Sequence, residues 1–569
     1  MPNGISKLLD DLEALKLDFQ ARRQSKLEAT LDKLNASRFT DAAQLIRFHE
    51  ILLFLRAYPR SSQFLQRSEN ILASFANRVR LLREQDIELF PLTQPQVSGI
   101  SGAELTGVFT YNIARYLAHA YPSQVSIDWN EYDRGDQFAL VMRRFLPLLE
   151  EDSYVETYYS CVEWLRAAMG RNKNDLVWII NRFERLQAPE REKGELFDSL
   201  KLWIRWQFHP SSDSRTNLRW PSKKTFYHDA PLIGRKEVSL ASELEGPSMP
   251  IKKLKQTTGL RLLDKGRATM SMRYRELHGF TYGDSRQVWR ADAGRGLEIF
   301  VWGVPPENRL PILAYHSVLI VKNEVPVGYA EALSLCERTE VGLNLFYTFR
   351  DGESAWIYGR ILKVFQQLLG ITVFSVDPYQ LGYLNSEGLK AGAFWFYRKL
   401  GFRPIDPELG KLVEAEERRI AARPGYRTPA SRLAKLSSGH LLFEHPGSVP
   451  GWDSFHIRNI GLAVQRQMAA RFGGDECRMR KACVALVVRA LGIDTTNWGD
   501  SELNTLSNLA LVLATLSDLE KWSPPEKLEL VQLIRAKGAA DELDYLNRMQ
   551  RHPRLRAALI RVGSESQTD

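Results

Sequence analysis

Cysteine is scarce: Cys161, Cys336, Cys477 and Cys483 are the only four in 569 residues. They are scattered apart from the last pair, whose spacing carries no metal signature, so no disulfide framework holds a chain of this size together. Long apolar runs are missing as well. The nearest approach, 362–376, is not a convincing membrane span, and no membrane association is expected. The opening MPNGISKLLDDLEALKLDF has no basic segment leading into an apolar core and cleavage signal, which makes a reducing cytoplasm the expected compartment. Histidine numbers only ten and never falls at ligand spacing. His440 and His445 in HLLFEH are too far apart for a zinc-protease helix, while His209 and His228 read as surface or hydrogen-bonding side chains. No metal is expected. The glycine-bearing stretch GISGAELTGVF at 99–109 lacks the lysine of a phosphate loop and reads as helix packing around small residues.

What is present is ordinary globular composition, 44% apolar and 25% charged, in a length that suits several domains. A net charge of +9 spread over the whole chain is a weak pointer to nucleic acid. Leu, Ile and Phe recur among Glu, Lys and Arg at helical spacing over the first ninety residues and again from 137, so 1–205 reads as one helical region or two subdomains. A connector and entrance segment over 206–293 follows, rich in Pro, Ser and charge. Its Trp206, Trp220, Phe226 and Tyr227 beside Lys223, Lys224 and Arg235 suit either a loop anchored by aromatics or a single-strand stacking surface. From 294 the pattern changes to short β-rich runs, LAYHSVLIV, VPVGYAEALSL and VGLNLFYTF, then a helix over 352–368, the strand ITVFSV, and a second helix in EGLKAGAFWFYRKLGF. A charged connector over 411–455 and a helical region over 456–569 complete the chain. The fold class expected is multidomain α+β, a mixed-sheet domain between large, predominantly helical N- and C-terminal regions. Oligomeric state is left open.

The words VPVGYAEAL, LNLFYTFRDGESA, TVFSVDP, Asn385 and GAFWFYRKLGFRP resemble the GNAT family of N-acyltransferases over about 295–405, and the flanks resemble nothing identified. The resemblance implies a mixed sheet splayed between two central strands, with acetyl-coenzyme A or another acyl-coenzyme A as cosubstrate in the opening. It implies a pyrophosphate loop in RDGESA, held by backbone amides at a helix start. Arg350, Gly352, Ser354 and Ala355 fall in that loop, but Glu353 stands where the family has its central glycine. Asn385 sits where an amide meets the pantetheine arm, with a helix cap as the alternative. Tyr397 matches the phenol that gives a proton to the departing thiolate, with core packing as the alternative.

Glu331 on the VPVGYAEAL strand is a candidate base for the attacking amine, and His316 a weaker relay. Cys336 has no Cys–His–Asp grouping to make it a nucleophile. Arg273, Arg275, Glu276, His278 and Tyr282, just upstream, suit either an anionic acceptor or a soluble domain entrance. The expected activity is transfer of an acyl group to an amine of a small molecule or polypeptide. Glu353 keeps a second reading open: a noncatalytic acyl-coenzyme A sensor or scaffold built on a degenerate domain of this type.

Overall fold

The structure, a computed structural model, describes residues 4–146, 161–222 and 224–564. The chain divides into two units. The first comprises Met1–Pro231 with Arg261–Thr281 and Lys322–Pro326; the second comprises Leu232–Leu260, Tyr282–Val321 and Val327–Asp569.

In the first unit the helix Ala42–Ala57 is apolar around most of its circumference and is buried on nearly all sides, including Leu45, Phe48, Leu52 and Leu55. Each such side chain contributes about 1.5–3 kcal/mol by leaving water. Arg56 is buried with it, and its guanidinium forks onto Glu69 at 2.7 and 2.8 Å, which offsets the desolvation of the charge. A small sheet lies within the segment expected to be helical: β1 (Glu104–Val108), β2 (Val125–Ile127) and β3 (Trp203–Gln207), in the antiparallel order β1-β3-β2. Strands of three to five residues are too short for their alternation to stand out from neighbouring helical periodicity. Trp206 on β3 is fully buried, and His228 sits among the rings of Phe19, Tyr58 and Phe226. Of the aromatics after β3, Phe226 packs on His228, whereas Tyr227 is exposed. Lys223 lies outside the described residues.

The second unit carries a nine-stranded sheet in the order β11-β12-β10-β9-β8-β7-β6-β5-β4. In chain order these are β4 (Ile251–Lys253), β5 (Val288–Gly294), β6 (Leu297–Trp302), β7 (Ala314–Lys322), β8 (Val325–Leu335), β9 (Arg338–Leu345), β10 (Val373–Val376), β11 (Arg403–Pro404) and β12 (Leu441–Glu444). The sheet therefore begins well before 294 and ends well after 410. β5 and β6 meet through the two-residue tip Arg295–Gly296, both at positive φ (52° and 74°), the backbone that matches the twist of a tight hairpin. β12, the LLFE of HLLFEH, falls inside the stretch expected to be a connector. It pairs antiparallel with both β10 and β11, and its four residues are too few to show a period. Six helices from Ile457–Phe472 to Pro553–Ser564 make up the C-terminal region, as its Ala- and Leu-rich runs suggest. Among the described residues no helix is long and apolar enough to cross a membrane.

Candidate functional site

β9 and β10 run parallel, joined by a crossover through the helix Ser354–Leu369. Their pairing covers only Arg338–Val373, Thr339–Phe374 and Glu340–Ser375. β9 then continues to Leu345 along β8 alone, since Leu345 pairs with Gly328. The two strands part beyond Glu340 and Ser375, leaving a fork between them. The segments leaving this fork expose large side chains: Tyr347 after β9, and Tyr379, Tyr383 and Leu384 after β10, between 42 and 85% accessible. Leu384 also adopts a left-handed backbone, φ 53°.

Strand register decides which side chains share a face, because paired residues point the same way and neighbours along a strand alternate. Glu331 pairs with Gly342 and Leu333 with Glu340, so Glu331 and Glu340 lie on one face. Glu340 pairs with Ser375, which places Asp377 on that face at the end of β10. Ser375 pairs with Leu442, which places His440 there as well, just before β12. His440 Nε2 lies 3.5 Å from Asp377 Oδ2 and 3.6 Å from Glu340 Oε2. Burial works against charging this imidazole, but the two carboxylates outweigh it and raise its pKa to about 9. Asp377 is held low, first by His440 and then, against burial, by the Tyr379 amide. The ring of His456 lies 5.5 Å from that of His440; burial and the cations of His440 and Arg338 push its pKa down.

On this same face the Tyr315 hydroxyl donates to the Glu331 carboxylate and is 3.1 Å from Ser317 Oγ. Glu331 is therefore half-buried and directed by a phenol. Tyr397 belongs to the other face: its ring touches Tyr358 and Phe402, and Phe402 touches Phe443, which pairs with Phe374. It is 4% accessible, and burial pushes its phenol well above the usual range. Glu331 and Tyr397 thus stand on opposite sides of the sheet, with the fork between β9 and β10 as the break in it.

The loop RDGESA leads into the Ser354–Leu369 helix. Arg350 Nε donates to Leu345 O at 3.1 Å, and its Nη2 to Glu387 at 2.6 Å. The guanidinium thereby links the end of β9 to the helix Ser386–Ala391. The Gly352 amide donates to Phe349 O, closing a turn, and Ser354 Oγ donates to Arg350 O. Glu353 is the residue before the helix, with no capping bond from its side chain. Its carboxylate is fully buried, taking the Arg295 guanidinium at 2.6 Å and the Ile233 amide at 3.3 Å. The negative charge is turned into the body of the unit, so it does not occupy the helix start. Ser354 and Ala355 occupy the first turn, where backbone amides have no acceptor within the helix. Asn385 caps the Ser386–Ala391 helix, accepting from Gly388 N and donating to Tyr379 O.

The remaining sequence candidates are placed as follows. His316 is buried, and desolvation lowers its pKa to about 4 despite Glu542 and Asp541 nearby. Cys336 is buried and its thiol pushed up by desolvation. Arg273 is buried and donates to Thr269 O, and Glu276 accepts from the Thr110 amide and hydroxyl. In the first unit, Arg80, Arg83, Phe90 and His209 line a recess of about 520 Å³ with no convergent catalytic set. Glu340, Asp377 and His440 were not singled out in the sequence as a group. TVFSVDP and HLLFEH contain two of them, but only the pairing of three strands unites residues so far apart. No known protein family, curated protein or solved structure matches the chain.

Proposed function

We propose that the protein transfers an acyl group from coenzyme A to an amine, with the second unit as the catalytic body. The observation that carries this reading is the parallel β9–β10 pair that parts after three residue pairs, with a helix start beside the opening. A thioester lying in such a fork has backbone donors on the strand edge to stabilise the oxyanion of the tetrahedral intermediate. The first-turn amides at Ser354 and Ala355 provide partial positive charge for a phosphate without a side-chain cluster. An amine acceptor arrives protonated at neutral pH, and the face bearing Glu331, Glu340 and Asp377 suits a cation. Glu331, aligned by Tyr315, takes its proton, and Tyr397 is the acid on the opposite side for the leaving thiolate.

The second reading is an acyl-coenzyme A sensor or scaffold without turnover. It is favoured by the burial of Tyr397 and by the engagement of Arg350 and Asn385 in internal bonds. The test is titration of acetyl-coenzyme A and longer acyl-coenzymes A into the folded protein, followed by thiol release across a panel of amines. Absence of saturable binding removes both readings, and binding without thiol release selects the second.

A further inference from the structure

We infer that Glu340, Asp377 and His440 form a binding site for one divalent transition-metal ion of the zinc class. The three side chains come from three adjacent strands, β9, β10 and β12, on one face of the sheet, so strand pairing rather than a flexible loop sets their spacing. Their ligand atoms all lie within 4.8 Å of one another, and each residue is half-buried. Two of the three ligand–ligand distances bear on the occupant. A direct N–H···O bond spans about 2.7–3.2 Å. Donors about 2.0–2.2 Å from a tetrahedral zinc ion stand about 3.3–3.6 Å apart. The observed 3.5 and 3.6 Å from His440 Nε2 fit the second spacing.

Charge points the same way. Two carboxylates on neighbouring strands repel, and the ion pairs they make among the described residues are with His440 alone. An imidazolium has one N–H at Nε2 to share between two acceptors, and leaves the group at a net −1. A neutral imidazole with a divalent cation gives each donor atom a bond and brings the group to neutrality. Arg338, two residues before Glu340 on the same face, feels the Glu340 charge through space, but burial works against its own charge and it makes no direct bond to either carboxylate among the described residues. It is stacked 5.7 and 5.3 Å from the rings of Trp452 and Phe455 and forms no ion pair among the described residues. A nitrogen and two oxygens select a borderline ion such as zinc or cobalt(II), or the harder manganese(II), over soft copper(I). Three protein ligands leave a coordination position open, the pattern of sites that hold water or substrate rather than of closed structural sites.

The test uses the untagged, full-length protein after chelator treatment, titrated calorimetrically with zinc and, in parallel, with cobalt(II) as a visible-absorption probe. The expected result is uptake of one ion per chain, with cobalt bands of low coordination number. Affinity should fall at least a hundredfold in His440→Ala and at least tenfold in the near-isosteric Glu340→Gln, with circular dichroism confirming that both variants are folded. Absence of saturable uptake by the wild-type protein overturns the assignment. So does uptake that changes less than tenfold in the folded Glu340→Gln variant. The titration requires no acyl-coenzyme A, so its outcome is independent of the proposed transferase activity.

Discussion

The fully buried Glu353 carboxylate depends on Arg295, and the dependence is unequal. Arg295 is 28% accessible and sits at the tip of the β5–β6 hairpin, whereas the Glu353 side chain has no accessible surface. Replacing Arg295 with Met keeps most of the stem's packing but deprives a buried carboxylate of its guanidinium. Removing one partner of such a pair costs about 3–5 kcal/mol. Replacing Glu353 with Gln leaves a cation that rehydrates at its open edge and an amide that still accepts from Ile233 N. The loss there is that of a charged hydrogen bond, about 1.5–3 kcal/mol. The double variant Arg295→Met/Glu353→Gln contains no stranded charge, so it should be more stable than Arg295→Met alone, with a coupling of at least about 1 kcal/mol. Urea unfolding of the four proteins measures the cycle, and hydrogen exchange over 345–362 localises the loss to the loop and the helix start. Additive losses, or Arg295→Met no worse than Glu353→Gln, would refute the view that this pair holds the loop.

Acid should weaken both units. Buried His49 and His316 each have a pKa lowered to about 4, chiefly by desolvation, so between pH 6.5 and about 4 the unfolded chain takes up a proton the folded one refuses. This contribution is complete above pH 6.5 and falls by roughly 3 kcal/mol per histidine as the pH drops to 4; His49→Gln should flatten the urea midpoint's pH dependence in the first unit relative to wild type. Asn385→Ala should cost about 1 kcal/mol through loss of the cap and raise exchange over 383–392, whereas Asn385→Asp should retain most of the stability. Tyr397→Phe should leave the melting temperature within about 2 °C and lower thiol release at least tenfold if the phenol donates a proton; unchanged turnover assigns Tyr397 to packing.

The helical regions were legible because their apolar positions recur over many turns: the six C-terminal helices stand where Ala- and Leu-rich runs lie. The central strands were legible for the same reason, as β7 and β8 are nine and eleven residues long. What escaped was short or non-local. β1, β2 and β12 have three to five residues each, and β12 lies in a stretch whose charge suggested a connector. At the site, the helix cap read for Asn385 as the alternative to a pantetheine contact is present, whereas Glu353 shows the limit of reading a motif position by position. The amide of Asn385 is engaged in its own helix's cap. The charge of Glu353 is absorbed by Arg295, a residue 58 positions away on a hairpin whose role no local pattern reveals.

Glu331, Glu340 and Asp377 gather three carboxylates on one face of a sheet in a chain whose net charge is +9. Such a concentration is unfavourable unless cations neutralise it, and the face has two ways to achieve this. In the inferred metal-bound state, a divalent ion held by Glu340, Asp377 and a neutral His440 would balance two of the carboxylates, while Tyr315 donates to Glu331. In the proposed transfer, an arriving ammonium group would serve Glu331 near the fork and lose its proton there. The two cations act at different strands, so their effects separate by substitution. Glu331→Gln removes the proposed proton acceptor and leaves Glu340, Asp377 and His440 intact; Glu340→Gln removes one inferred metal ligand and leaves the Tyr315–Glu331 bond in place. A shared face with separable charges is what a sheet provides when the same two-residue period runs through adjacent strands.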